Sequence, residues 1–105
     1  MLKNSNNEYQ QNGVMVQPAT PKASGNAKIV YSGLLAKGGA HGLYAHVGFD
    51  RNWEHTHDYK MTKGSNTFEA DIPMHDADTL NIAFKDCADN WDNNSGKNYS
   101  FDIAH

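Results

Sequence analysis

The sequence predicts an all-β fold, an antiparallel β-sandwich. Three observations carry that expectation. Short runs with period-two alternation recur from residue 27 onward, each with one apolar and one polar face. Clusters of Gly, Asn and Asp separate these runs as turns. No window places its apolar residues at helical spacing.

Each run justifies itself in order. Residues 27–32 are β-branched and aromatic, with Ile29, Val30 and Tyr31. In residues 43–49, Leu43, Ala45, Val47 and Phe49 share one face, and His46 lies on the other. Residues 59–63 alternate as a single strand. In residues 67–72, Phe68, Ala70 and Ile72 point inward, and Pro73 ends the strand. In residues 80–84, Leu80, Ile82 and Phe84 point inward, and residues 99–103 close the chain. The core set is therefore Phe49, Phe68, Phe84 and Phe101, with Tyr31, Tyr44, Tyr59 and Tyr99 as sheet and core residues.

The chain has 105 residues, enough for one small domain without disulfides. Residues 1–26 read as a flexible linker or N-terminal extension, rich in Asn, Gln, Pro, Gly and Ser. Val14, Met15 and Val16 form the one apolar cluster there, suited to pairing weakly with a sheet edge. Residues 27–105 read as the folded module. The net charge of −3 argues against nucleic acid or an anionic membrane as partner, since both select a basic face. No apolar stretch approaches the roughly 20 residues that span a bilayer. The single cysteine, Cys87, excludes an internal disulfide and reads as a small half-buried residue. The N-terminal residues lack the apolar core of a signal peptide, so the chain reads either as cytosolic or, the favoured reading, as a piece of a longer protein.

One loop carries the chemistry. After Phe84 the chain becomes almost wholly Asp, Asn, Ser, Gly and Lys, with Trp91 in its middle. A large ring in a solvated loop marks a binding surface, because aromatics give contact area at low entropic cost. Amides and carboxylates around that ring are fixed hydrogen-bonding groups. Together they describe a surface that reads a sugar: the ring takes the apolar face and the polar groups take the hydroxyls. The bland reading is that Trp91 folds back onto the core, Trp53 is a rim residue and His46 is merely solvated.

Three pieces resemble the starch-binding carbohydrate-binding modules of family 25. The first is residues 43–49 followed by Trp53; the second is residues 59–63 leading into 67–73. The third is residues 80–86, then Trp91, Asp92, Asn93 and Asn94, with Gly96, Asn98 and Tyr99. They occur in the family's order and cover residues 30–103. The resemblance implies an immunoglobulin-like β-sandwich that binds α-1,4-glucans without catalysis. It implies a ligand lying against His46, Trp53 and Trp91, with Lys85, Asp86, Asp92, Asn93 and Asn94 as polar contacts. Lys85 or Lys97 is expected to select hydroxyl orientation. No cofactor is implied. The implied partners are an α-glucan, a covalently linked amylolytic domain and a sister binding module, in an extracellular setting. The chain departs from the family at Phe68, where a tryptophan is common, and at His55-Thr56-His57.

Other functions leave weaker traces. A metal-binding sandwich is the alternative: His55 and His57 have strand spacing for one face, and His41 and His46 would have to join them. Residues 89–96 are rich in oxygen ligands, yet they break the EF-hand order, with Trp91 at the third position and no closing Glu. A glycoside hydrolase needs two carboxylates in an enclosed cleft, which a sandwich of this size rarely builds. A single-strand nucleic-acid binder needs basic residues, whereas Asp50, Glu54, Asp86, Asp89 and Asp92 surround the tryptophans.

Overall fold

The computed structural model describes residues 9–18, 20–64, 67–94, 96 and 98–104. Lys97 and residues 1–8 of the expected linker lie outside the described residues. Two antiparallel sheets pack face to face as a sandwich, as the alternation leads one to expect. The first sheet joins β1 (Val14–Gln17), β2 (Asn26–Tyr31), β6 (Phe68–Pro73) and β5 (Thr62–Lys63) in that spatial order. The second joins β4 (Glu54–Lys60), β3 (Leu43–Phe49), β7 (Thr79–Asp86) and β8 (Trp91–Asp92). Its last strand, β9 (Tyr99–Asp102), pairs with β7 at residues 79–82, while β8 pairs with β7 at Phe84 and Lys85. A single turn of helix, α1 (Leu34–Lys37), connects β2 to β3.

The inward faces match the alternation. Ile29, Tyr31, Val47, Phe49, Ile72, Leu80, Ile82, Phe84 and Phe101 are buried together between the sheets. Tyr31 lies nearly parallel to Phe84, with ring centroids 4.0 Å apart. Burying such aromatic and branched side chains supplies most of the drive to fold.

Four local features differ from the sequence expectations. Residues 14–17 form an edge strand on β2, the sheet-edge pairing open to Val14, Met15 and Val16, but more firmly than a weak pairing, since Val14 and Val16 are buried in the core. The run at 59–63 is not one strand: β4 belongs to one sheet and β5 to the other, and the chain crosses at the buried Met61. Met61 N–H donates to Leu43 C=O at 2.9 Å, so the crossover stays tied to β3. The polar segment 54–58 is strand, held by pairing to β3 and not by burial. Tyr44 lies on the outer face of β3 and not in the core, because it alternates with Leu43 and Ala45.

Candidate functional site

The outer face of the second sheet is set by register. His46 lies opposite Asp58 of β4 and Ala83 of β7. One step along, Tyr44 lies opposite Lys60 and Lys85, and Lys85 lies opposite Trp91 of β8. These outward positions therefore form one continuous patch across four strands.

Three rings meet on this patch. The His46 imidazole is 5.6 Å from the Trp53 ring and inclined to it by 26°. It is 5.5 Å from the Trp91 ring, edge-on at 89°. The two indoles are thus steeply inclined to each other on either side of the histidine. Lys85 Nζ lies 5.5 Å from the Trp91 centroid and 5.9 Å from that of Tyr44, within cation–π range.

Backbone geometry puts Trp53 there. It sits in the turn between β3 and β4 at φ 53, a left-handed conformation that costs a non-glycine residue energy. The turn is overdetermined by its surroundings. Trp53 N–H donates to Asp50 C=O at 3.2 Å. Asp50 Oδ1 accepts from the N–H groups of Asp78 and Thr79, and Asn81 Nδ2 donates to Asp50 C=O at 2.8 Å. Thr56 Oγ1 donates to the Trp53 carbonyl. The indole then lies directly on Gly48, where a Cβ would sit 2.4 Å from Trp53 Cε3. Only glycine leaves room for that ring on the sheet.

An ion cluster orients the histidine. His46 Nδ1–H donates to Asp58 Oδ1 at 2.5 Å, and Lys85 Nζ donates to Asp58 Oδ2 at 2.9 Å. A carboxylate only accepts, so Nδ1 of His46 carries a proton, which leaves Nε2 as the ring's other hydrogen-bonding atom. Partial burial opposes ionisation of Asp58, but the hydrogen bonds from Lys85 and His46 outweigh it and hold its carboxyl below the usual range. The same bond to Asp58 raises Lys85 above the usual lysine value.

The late loop divides its polar residues. Asp92 is buried, 8% exposed, and turns inward: Tyr31 Oη and Tyr99 Oη donate to its two oxygens at 2.5 and 2.8 Å. Asp92 therefore stands apart from the ring cluster, with both of its oxygens engaged by the tyrosines. Asp86 accepts from the N–H of Ala88 and from both the backbone N–H and side-chain amide of Asn90, capping its own turn. Those bonds, the Asn90 side chain first, hold its carboxyl below the usual range. Asn93 and Asn94 lie beside Trp91 on one cleft. Asn93 Oδ1 accepts from Gly96 N–H, and Asn94 Nδ2 donates to Asn98 C=O. Lys85 joins the ring cluster, while Asp86 and Asp92 do not.

Sequence reasoning passed over Asp58, Tyr44 and Gly48. Asp58 stood in a segment read only for its histidines, and its role follows from cross-strand register. The histidines themselves separate. His55 stacks on His75 at 4.2 Å and His57 packs on Tyr59 at 4.5 Å. Among the described residues no group of three His, Cys, Asp or Glu side chains comes together as a metal site. Cys87 is exposed, not half-buried, because it follows the end of β7 into the turn.

Comparison with known families agrees with this chemistry. The starch/carbohydrate-binding module of family 53 matches residues 27–82, more than half of the chain. The match includes His46, Gly48, Trp53 and Asp58, and it ends before Lys85 and Trp91. The family matched is 53, where the residue pattern resembles family 25; what the two share is starch binding. No curated protein matches the chain.

Proposed function

The chain belongs to the starch/carbohydrate-binding modules of family 53, which are non-catalytic, and from that premise we propose where and how it holds its glucan. An α-1,4-glucan rests against His46, Trp53 and Trp91 on the outer face of the second sheet. This is the arrangement that the family 25 resemblance implies. The observation that carries it is the convergence of those rings, with two indoles inclined about one imidazole. An α-1,4-linked chain is curved, and inclined rings meet the C–H faces of successive sugars where a flat platform would meet only one.

The energetics follow from the surface. Burying sugar C–H against indole releases water, worth roughly 25 cal/mol per Å². His46 Nε2 accepts from a hydroxyl, and Lys85 donates to one. Asp58 holds both groups still, and the turn bonds hold Trp53, so little ordering cost erodes the gain. An open platform of this kind binds with Kd on the order of micromolar to millimolar.

The wider setting is part of the same proposal. The module tethers an amylolytic domain to starch outside the cell, and a sister module would raise avidity through effective concentration. Calorimetric titration with maltoheptaose, with cellohexaose as control, tests the site's ligand class. Heat with the α-linked sugar alone is the expected result. Silence with both overturns the proposal.

A further inference from the structure

We propose that a second glucan subsite lies in the cleft between α1 and the loop at residues 91–94, continuing the ring platform past Trp91. This deepens the function proposed above and rests on it. Two large hydrophobic side chains are exposed among the described residues, Leu34 at 69% and Trp91 at 45%. Both line the same cleft, whose volume is about 480 Å³. That volume falls in the range of ~300–1,000 Å³ typical of ligand clefts. Gln11, Lys37, Asn93 and Asn94 complete its rim.

The cleft is built rather than incidental. On one side, Leu34 and Lys37 stand three apart on α1 and share a face. On the other stands the loop that carries Trp91. A single buried hydroxyl ties the two sides together: Tyr31 Oη accepts from Leu35 N–H of α1 at 3.1 Å and donates to Asp92 of the loop at 2.5 Å. The third wall, around Gln11, is held by glycine contacts. A Cβ on Gly13 would sit 2.6 Å from Gly33 N, and one on Gly33 would sit 2.4 Å from Asn12 O. Gly13 also has φ +80, where a side chain is strained. These walls are fixed before any ligand arrives, which keeps the ordering cost low.

The chemistry of the walls selects the ligand. An isobutyl group and an indole ring offer apolar contact, and side-chain amides beside them are donors and acceptors. Asp92, the acidic residue on the lining, is already taken by the two tyrosines. A neutral, hydroxyl-rich ring with C–H faces fits this mixture. Trp91 belongs to both surfaces, so one glucan chain runs from the platform over Trp91 to Leu34.

The test compares maltotriose with maltoheptaose by calorimetry on the wild type and on Leu34→Asp. The wild type is expected to bind the longer sugar about tenfold tighter. Leu34→Asp is expected to raise Kd for maltoheptaose about five- to tenfold and to leave maltotriose within about twofold. The fold is expected to survive, because Leu34 is exposed. As a second measurement, wild-type amide NMR shifts at Leu34, Lys37 and Gln11 should move with maltoheptaose. Binding of both sugars by the wild type with no selective loss in the variant, or with those amides unmoved, overturns the subsite alone. Absence of binding to either sugar overturns the platform and the subsite together.

Discussion

Tyr31 Oη donates a 2.5 Å hydrogen bond to Asp92 Oδ2, joining residues 61 positions apart. Tyr99 Oη occupies the other oxygen at 2.8 Å. Because side chains alternate along a strand, Asp92 held inward turns its neighbour Trp91 outward. The core thereby aims a ring of the proposed binding face.

Removing that anchor should cost both stability and binding. Asp92→Ala leaves two buried phenol hydroxyls without their acceptor, a loss of about 2–4 kcal/mol. Trp91 also loses its anchor, so maltoheptaose binding should weaken severalfold even where the protein stays folded. Thermal melts and titration of the folded variant check both effects. Unchanged glucan affinity would show that Asp92 does not position Trp91.

The same contacts predict an alkaline limit. Burial first, and the hydrogen bond to Asp92 second, push the Tyr31 and Tyr99 phenols well above their ordinary value of 10.0. A group whose pKa is raised by folding gives stability that is intact below its unfolded value and lost as pH rises toward the folded one. Tm should therefore be flat up to about pH 10 and fall above it. Tyr31→Phe, though less stable at neutral pH, should fall less steeply. A wild-type Tm that holds from about pH 9 to pH 11 would contradict this assignment.

Direct truncation of the platform gives the plainest binding prediction. Trp53→Ala and Trp91→Ala should each cost about 2 kcal/mol or more in glucan binding, as aromatic anchors do. Both rings lie outside the core cluster, so the fold should persist. Normal starch binding by both folded variants would remove the site assignment.

Gly48 offers a subtler test of Trp53. A methyl group there meets the indole at 2.4 Å, so Gly48→Ala should lift the ring off the sheet. Affinity should fall by roughly thirtyfold, matching the loss of about 2 kcal/mol for Trp53→Ala, while the backbone of β3 is kept. The double variant should show no further loss, since both changes remove one contact. Additive losses would mean that Gly48 serves the fold and not the ring.

Much of this arrangement was legible in the residues, for reasons the structure makes plain. Period-two alternation marks a strand with one buried face, so β2, β3, β6, β7 and β9 could be read from their own sequences. β4 could not, because its residues are polar on both faces and only pairing with β3 makes them strand. β1 showed only as an apolar cluster suited to weak edge pairing, because its surroundings are rich in Asn and Pro, yet Val14 and Val16 supply a fully buried face. His46, Trp53 and Trp91 stood out because rings in polar segments are costly without a use. Asp58 and Gly48 did not, since their roles exist only across the sheet. Asp92 was read as facing outward because composition does not say which way a loop carboxylate turns.

The last prediction concerns Asp58, the hinge of the polar side. Its carboxyl lies below the usual range despite partial burial, because Lys85 and His46 both donate to it. A lowered folded pKa gives a contribution present above the unfolded value of 3.8 and lost as pH falls through the folded one. The Asp58 contribution to maltoheptaose affinity should accordingly be lost below about pH 4. Asp58→Asn should bind about three- to fivefold more weakly at neutral pH, since it frees His46 from its fixed tautomer and unpairs Lys85. Its affinity should also lose the decline below about pH 4. The loss of stability should stay within about 1 kcal/mol, as suits ion pairs at the surface. An acid limb that persists unchanged in Asp58→Asn would assign that limb to another carboxylate and leave His46 oriented by its packing between the two indoles alone.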